Sequence, residues 1–291
     1  MKRILGCLLL VILLLSAVQL LVAQDQTTPP PKVLMVYREF LKPGKMGTAH
    51  EKTEAAFVNA SISAKWPQHY LAMDSITGQP RSLFFFGYES FEAFEKDQQA
   101  TQKNAGYAAA LDRAGAADGD LLASQEVTAF VYNEEQSFHA PVEIAKMRYM
   151  EIYRFAIRPG HDKEWEALVK LYHDAYEKAA LADEHWAVYD AWYGHNSSGT
   201  HIIVVPMKSL ARIDQGMADS KKIEAAMGDD GQKKAAELEG ACVKESEVNV
   251  FAFNPRMSYV PDSWTQADPS FWKTKSTGAT KKTAAKPAAG Q

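Results

Sequence analysis

The chain has 291 residues, of which 46% are hydrophobic and 23% are charged, and its formal net charge is −4. This composition is typical of a globular protein and excludes a largely disordered chain. Two cysteines are too few for a disulfide framework or for a cysteine-rich zinc site.

The start of the chain predicts a signal for export that is removed from the mature protein. Lys2 and Arg3 precede an almost unbroken apolar run, residues 4–22, and the small residue Ala23 stands at the expected cleavage position. An uncleaved membrane anchor is the alternative, because about 20 apolar residues can span a bilayer. The polar, proline-rich segment 24–31 favours cleavage and so predicts a periplasmic or secreted protein of bacterial type.

The charge distribution argues against a nucleic-acid partner. The segments outside residues 24–272 carry seven basic residues and no acidic one, so this body has 25 basic and 36 acidic residues, a net charge of −11. An acidic body offers no electrostatic footprint for a phosphate backbone. The segment 276–291 holds only small or polar residues and lysines, which predicts a flexible basic tail.

The chain repeats itself once. Val36-Tyr37-Arg38 is echoed by Ile152-Tyr153-Arg154, and the closing segment Glu126–Asn133 is echoed by Glu247–Asn254. These matches stay in order, with small slips only where loops are expected, and therefore predict a tandem duplication. The predicted organisation is a signal peptide (1–23), a linker (24–31), repeat 1 (32–140), a linker (141–146), repeat 2 (147–261), an aromatic extension (262–275) and the tail (276–291).

Each repeat predicts the element order β-α-β-β-α-β. In repeat 1, a β-rich segment from Val33 to Leu41 ends at a Pro-Gly turn, and Thr48 opens a helix with the pattern of a capping box. Ser90 is the expected N-cap of the second helical region, and Ser209 is its counterpart in repeat 2. The remaining strands are expected at 70–76, 82–88 and 126–132, with counterparts at 186–192, 201–207 and 247–253.

This order is the ferredoxin-like arrangement, in which helices cover only one face of the sheet. The second repeat is the natural cover for the other face. Over most of residues 32–260 the chain resembles the dimeric α+β barrel superfamily, which includes antibiotic-biosynthesis-type monooxygenases and NIPSNAP-like proteins. The resemblance implies an α+β fold of two ferredoxin-like repeats packed as an intramolecular pseudo-dimeric barrel. The superfamily holds cofactor-free oxygenases, haem-handling enzymes, isomerases and proteins without known chemistry, so the resemblance implies no particular reaction.

The first and last strands of each repeat suggest ion pairs and a ligand cavity. Their antiparallel pairing is expected to bring Arg38 near Glu126 and Arg154 near Glu247. Tyr149, Glu151 and Tyr153 share the opposite face of their strand, together with Phe155. This mixture of aromatic and acidic residues predicts a barrel interior that holds either a ligand cavity or a filled core. Asn249 is expected to be a buried amide that needs partners or a ligand.

A longer loop in repeat 2, residues 193–200, predicts a polar mouth formed by Trp192, His195 and His201. His and Asp side chains bind transition metals, but no helical His-x-x-x-His pattern supports a metal site. A haem would need an axial His, Cys or Tyr, and no spacing selects one. We therefore expect no cofactor, with haem and metal left open.

The sequence favours an exported protein that binds a small hydrophobic or aromatic ligand, with cofactor-free oxygenase-like or isomerase-like chemistry as an extension. The alternative is a non-catalytic structural or interaction module with a filled barrel core. Neither a nucleic acid nor, after cleavage, a membrane is an expected partner. One chain suffices for the barrel, and the oligomeric state stays open. The candidate ligand-binding residues, mostly in repeat 2, are Tyr149, Glu151, Tyr153, Trp192, His195, His201 and Asn249.

Overall fold

A computed structural model describes residues 27–181 and 183–273 of the chain. The expected signal peptide and the basic tail 276–291 lie outside the described residues. Among the residues that the structure describes, no helix combines the length and the apolar character needed to cross a bilayer.

The observed elements follow the predicted order in both repeats. Repeat 1 contains β1 (Val33–Leu41), α1 (Thr48–Ala64), β2 (Tyr70–Ser75), β3 (Arg81–Tyr88), α2 (Phe91–Lys103), α3 (Ala105–Gly119) and β4 (Leu122–Phe138). Repeat 2 contains β5 (Tyr149–Ile157), α4 (Asp162–Ala179), β6 (Trp186–Gly194), β7 (Thr200–Met207), α5 (Ala211–Cys242) and β8 (Val243–Phe253). A 3₁₀ turn (Ile144–Lys146) links the repeats, and two short helices, α6 (Asp262–Ala267) and α7 (Pro269–Trp272), follow them.

One of the three predicted helix caps is present. The Ser90 hydroxyl accepts a hydrogen bond from the Ala93 amide at 3.1 Å, as expected of an N-cap. The capping box at Thr48 is wrong, because Gly47 occupies the N-cap position and its φ of 84° favours glycine. Ser209 is not a cap either, because its carbonyl closes a turn with the Arg212 amide and α5 begins after Leu210.

The eight strands close into one antiparallel barrel in the order β1-β3-β2-β8-β5-β7-β6-β4. Each repeat supplies a four-stranded ferredoxin-like sheet with its helices on the outside. Two seams join the repeats, because β2 pairs with β8 and β4 pairs with β6. A single chain therefore closes the barrel, and the predicted fold class is confirmed.

Apolar side chains from alternating strand positions fill the middle of the barrel. Phe130 and Phe251, from the closing strands β4 and β8, lie there. The rest of this layer comprises Leu34, Val36, Leu71, Met73, Leu83, Phe85, Met150, Ile152, Ala187, Tyr189, Ile202, Val204 and Phe253.

The prediction that Tyr149, Glu151 and Tyr153 point into the barrel is wrong. Their neighbours Met150 and Ile152 fill the interior, whereas the alternate positions of β5 face the helices of repeat 2. Phe155, on that outward face, has its ring centroid 5.0 Å from that of Trp165 on α4. The physical reason lies in the register. Directly paired residues share a face, and Tyr153 is opposite Val248, on the side of β8 that turns away from the barrel interior.

The aromatic extension closes one end of the barrel. Trp272 is 6% exposed, packs against the interior cluster, and donates its indole N–H to the Ala145 carbonyl at 2.7 Å. Arg148 binds Asp268 and lies over the Phe271 ring, 4.0 Å from its centroid. The opposite end of the barrel forms an open polar mouth.

Candidate functional site

A pocket of about 290 Å³ lies between the outer face of the repeat 1 sheet and helices α1, α2 and α3. Alternation along β1, β2 and β3 turns one set of side chains toward these helices, and this set is aromatic. We call this space the aromatic pocket. Its aromatic lining consists of Tyr37, Phe57, Trp66, Tyr70, Phe84, Phe86, Tyr88 and Tyr107.

Ring-on-ring packing fixes the walls of the aromatic pocket. Tyr70 stacks on Phe86 with centroids 4.7 Å apart, and Tyr37 meets the edge of the same ring at 5.3 Å. Trp66 stacks on Tyr107 at 4.3 Å, at the side formed by the helices. The pocket is therefore preformed.

Most polar groups of the pocket wall already have partners. The Trp66 indole and the Tyr88 hydroxyl donate to the two oxygens of Asp97 at 2.8 and 3.0 Å. The Tyr70 hydroxyl is different, since it is buried and has no hydrogen-bond partner. Burial, with a smaller contribution from Glu54, raises the pKa of Tyr70 well above its ordinary value. This hydroxyl therefore stays neutral and is free to donate to a bound molecule.

Four buried side chains lie together at the polar end of the pocket, and we call them the acid–histidine cluster: Glu39, His50, Glu54 and Asp118. Their side chains are between 1% and 8% exposed. The His50 Nε2 atom lies 3.0 Å from Glu39 Oε2, 3.4 Å from Asp118 Oδ1 and 3.9 Å from Glu54 Oε1. One donor atom from each residue lies within 4.8 Å of the others, a spacing that allows one cation to contact all four. Glu39 and Glu54 also line the aromatic pocket.

A second layer of polar side chains orients the acid–histidine cluster. Gln125 donates to Glu39 Oε1 at 2.8 Å, and the Thr53 hydroxyl donates to Asp118 Oδ1 at 2.6 Å. On the other side of the imidazole, His50 Nδ1 lies 3.3 Å from the Ser82 hydroxyl. Such outer partners are typical of sites that hold their side chains in one orientation.

The open mouth of the barrel has a volume of about 340 Å³ and is lined by three arginines and three glutamates. Arg38 pairs with Glu126 at 3.2 Å, which confirms the predicted contact. Arg154 is opposite Glu247 in the register, also as predicted, but its ion pair, at 3.8 Å, is with Glu245.

The third ion pair of the mouth joins Arg81 to Glu247 at 3.0 Å. Each arginine of the mouth is therefore matched by a carboxylate. Burial lowers the pKa of Arg38, and repulsion from Arg154 and Arg81 adds to this effect, while Glu126 opposes it.

Two sequence-predicted residues, His195 and Asn249, line this mouth. Asn249 is buried, as predicted, and its amide finds protein partners. It donates to Glu247 at 2.6 Å and accepts from the Thr77 hydroxyl at 3.3 Å. The predicted need of Asn249 for a partner is therefore met without a ligand.

The other predicted residues lie elsewhere. The His201 side chain faces α4, and its ring stacks on that of Trp165 with centroids 4.9 Å apart. His201 Nδ1 also lies 2.6 Å from Asp190 Oδ1 on the neighbouring strand β6. Trp192 is 56% exposed and lies near Phe91 on the outer surface. The predicted polar mouth of Trp192, His195 and His201 is therefore not formed, because alternation along the hairpin separates these side chains.

Tyr149, Glu151 and Tyr153 lie on the face of β5 that turns toward the helices of repeat 2. Burial raises the pKa of Glu151, although its contact with Tyr153 and the charge of Arg212 oppose this shift. Arg212 is itself paired with Glu184. The proposed role of these residues in ligand binding stays a prediction.

The aromatic pocket does not suit a haem. No histidine or cysteine is among its lining residues. A tyrosine axial ligand would have to ionise, yet burial raises the pKa of Tyr37, Tyr70 and Tyr107.

The sequence prediction missed all four residues of the acid–histidine cluster. The available signal was the spacing of His50 and Glu54, which places both on one face of α1. A carboxylate four residues after a histidine is also a metal-ligand spacing, because carboxylates bind transition metals as imidazoles do. Glu39 and Asp118 carry no comparable local pattern.

No family model and no curated protein matches this chain. Among solved structures, an anthrone oxidase-like protein is similar over 80% of this chain and 93% of its own, with 14% identity and a TM-score of 0.50. A variant of chlorite dismutase from Candidatus Nitrospira defluvii is similar over 81% of this chain and 95% of its own, with 9% identity and a TM-score of 0.47. The first likeness shows the fold alone. The fold that it shares with this chain is the closed antiparallel barrel of two ferredoxin-like repeats described above.

Proposed function

We propose that this α+β-barrel protein binds a small aromatic molecule with one hydroxyl or carbonyl oxygen in the aromatic pocket of repeat 1. The observation that carries the proposal is the Tyr70 hydroxyl, which is buried and unpartnered in a wall of aromatic rings. Buried polar groups in proteins are normally hydrogen-bonded, so a ligand oxygen is the natural partner. The volume of about 290 Å³ is at the lower end of ligand sites and suits a molecule of one or two fused rings.

Oxygenase-like or isomerase-like chemistry is the extension of this proposal. Both reactions on a hydroxyaromatic molecule begin when a base removes a proton, and Glu39 and Glu54 line the pocket where such a molecule would lie. A structure of the same fold carries the name anthrone oxidase-like protein, and its name describes chemistry on an aromatic compound. Ligand binding is the step to test first.

The test compares 2-naphthol with naphthalene by isothermal titration calorimetry. In the unsubstituted protein, 2-naphthol is expected to bind more tightly, because only it can bond the Tyr70 hydroxyl. The change Tyr70→Phe removes the hydroxyl and keeps the ring. It is expected to weaken 2-naphthol binding by roughly fivefold to tenfold, on the scale of one hydrogen bond, and to leave naphthalene binding unchanged.

A matched pair of variants locates the site. Tyr37 and Tyr153 hold equivalent positions on β1 and β5, but only Tyr37 lines the aromatic pocket. Tyr37→Leu is expected to weaken binding, whereas Tyr153→Leu leaves it unchanged. The reverse result would move the site to repeat 2. Absence of binding by both compounds would favour the alternative of a structural module.

We further propose that the protein is exported, on the strength of the apolar run at residues 4–22 and the small residue Ala23. Expression in a bacterium followed by intact-mass measurement of the periplasmic fraction tests this. The expected product begins at Gln24. A product that retains residues 1–23 in the membrane fraction would support the uncleaved anchor.

A further inference from the structure

We infer that the acid–histidine cluster of Glu39, His50, Glu54 and Asp118 is a binding site for one divalent transition-metal cation. The inference does not rest on the proposed ligand, because the cation can be detected without it. Four observations carry the argument: convergence, orientation, an unpartnered oxygen, and the contrast between the two repeats.

The donor atoms converge from three separate elements. Glu39 comes from β1, His50 and Glu54 come from successive turns of α1, and Asp118 comes from the end of α3. The oxygens of three carboxylates surround the single atom His50 Nε2 at 3.0 to 3.9 Å. A cation among these atoms would have one nitrogen and three oxygen ligands.

The hydrogen bonds of the second layer present the Nε2 atom of His50 to the carboxylates. The Ser82 hydroxyl donates its only proton to Asp74 at 2.5 Å, which leaves its oxygen as an acceptor for the Nδ1–H of His50, 3.3 Å away, in the tautomer that carries a proton there. The other ring nitrogen, Nε2, then faces three acceptor groups. A metal-binding histidine has this arrangement, with the distal N–H fixed by an outer partner and the lone pair turned toward the cation.

One carboxylate oxygen of the cluster has no hydrogen-bond donor. Glu54 Oε1 is buried and unpartnered, in a side chain that is only 4% exposed. Burial of an ionised carboxylate is very unfavourable unless it is paired or binds a metal.

The fold itself does not need the cluster. In repeat 2, Phe155 occupies the position of Glu39. The strand partners of Glu39 are Ser82 and Gln125, and the equivalent partners of Phe155 are His201 and Ser246. Helices α1 and α4 are each followed by a residue with left-handed backbone, Lys65 and Ala180. Counting back the same number of residues from each matches His50 with Trp165 and Glu54 with Val169.

In repeat 2 these positions form an apolar cluster, in which Trp165 packs between Phe155 and His201. Repeat 1 therefore has two buried carboxylates and an imidazole where repeat 2 has three apolar side chains. A bound cation gives this difference a physical basis.

The ligand set indicates the class of metal. One imidazole and three carboxylates suit Mn²⁺, Fe²⁺, Co²⁺ or Zn²⁺, whereas the imidazole disfavours Ca²⁺ and Mg²⁺. Because Glu39 and Glu54 also line the aromatic pocket, the cation would lie at the polar end of that pocket.

The test titrates the chelator-treated full chain with Mn²⁺ and with Co²⁺. Electron paramagnetic resonance counts the free Mn²⁺, and visible absorption follows Co²⁺. One cation per chain is expected, with a rise in melting temperature because the cation binds only the folded state. Glu54→Gln keeps the shape of the side chain and is expected to weaken binding by roughly tenfold or more, since even second-layer changes cost that much. His50→Gln is expected to weaken binding similarly and to change the Co²⁺ spectrum.

The matched control is Glu51→Gln, on the same helix. Glu51 bonds Asn254 and Arg256 outside the cluster, so the affinity for Mn²⁺ should stay the same. Absence of stoichiometric Mn²⁺ or Co²⁺ binding would overturn the inference and would show that the cluster is neutralised by protons alone. Equal affinity in the unsubstituted protein and in Glu54→Gln would also overturn it. Binding of 2-naphthol to the metal-free protein is measured separately, so either proposal can fail without the other.

Discussion

At the scale of single residues, Gly78 fixes the geometry of the barrel mouth. It lies in the turn between β2 and β3 with a φ of +77°, and a Cβ atom added there would lie 2.1 Å from Asn249 Oδ1. Two requirements therefore meet at one position: a left-handed backbone, and space for the amide that bonds Glu247 and Thr77.

Gly78→Ala is expected to destabilise the protein by roughly 2–4 kcal/mol, because backbone strain and a steric clash add together. Gly44→Ala is the matched control, since Gly44 has a φ of +75° and nothing lies within 4 Å of its added Cβ. That control should lose only about 1–2 kcal/mol from the backbone. Urea denaturation measures both values, and equal losses would show that Asn249 does not constrain the turn.

The carboxyl group of Glu151 is expected to make the stability of the protein depend on pH. Burial raises its pKa in the folded protein, so the folded state holds this proton more tightly than the unfolded chain does. The contribution of Glu151 to stability is therefore fully present below its unfolded pKa and is lost as the pH rises through the folded value. Repeat 1 has Met35, a buried apolar residue, at the equivalent position.

Glu151→Met is accordingly expected to fold, and to remove this decline in the free energy of unfolding as the pH rises above about 4, the ordinary pKa of a glutamate. Glu89→Gln, at a carboxylate whose side chain is 80% exposed, should leave the decline in place. Denaturation at several pH values measures it. A large loss of stability at pH 7 in Glu151→Met would instead show that Glu151 belongs to a structural network with Tyr153 and Arg212.

At the scale of elements, the C-terminal extension acts as a plug for the barrel. Trp272→Ala should destabilise the protein by about 3–5 kcal/mol, because it leaves a cavity against the interior cluster and the Ala145 carbonyl loses its donor. Trp192→Ala is the control at an exposed site, with an expected change within about 0.5 kcal/mol. An equal change of the melting temperature in both variants would contradict the role of the extension as a plug.

Local patterns predicted the elements better than their orientation. The strand alternation, the Ser90 cap and the register of Arg38 with Glu126 follow from short stretches of sequence. Alternation shows that Tyr149, Glu151 and Tyr153 share a face, but not which face turns inward when both contain large residues. The acid–histidine cluster was harder still to predict, since β1, α1 and α3 bring its members together only in the folded chain.

At the scale of the whole molecule, the duplication determines the architecture. Each repeat leaves two strand edges, and the seams β2–β8 and β4–β6 pair them across repeats. Self-similarity in the sequence predicted the duplication, and the resemblance to the dimeric α+β barrel superfamily implied the barrel. Neither was enough to predict that the two repeats differ in chemistry, with polar groups buried in repeat 1 where repeat 2 is apolar.

A chain that ends at Pro141 is expected not to fold as a monomer, because it leaves β2 and β4 unpaired and exposes the interior face of its sheet. Size-exclusion chromatography with light scattering should find aggregates or a dimer that imitates the missing repeat. A soluble monomer with cooperative unfolding would show that the repeats do not depend on each other.

The central claim is that function lies in the aromatic pocket of repeat 1, and a crystal structure with bound 2-naphthol tests it most directly. The predicted result is ligand density between the repeat 1 sheet and helices α1 to α3, with the naphthol oxygen within hydrogen-bond distance of the Tyr70 hydroxyl. Density confined to the arginine-lined mouth or to the helix-facing side of repeat 2 would contradict the claim.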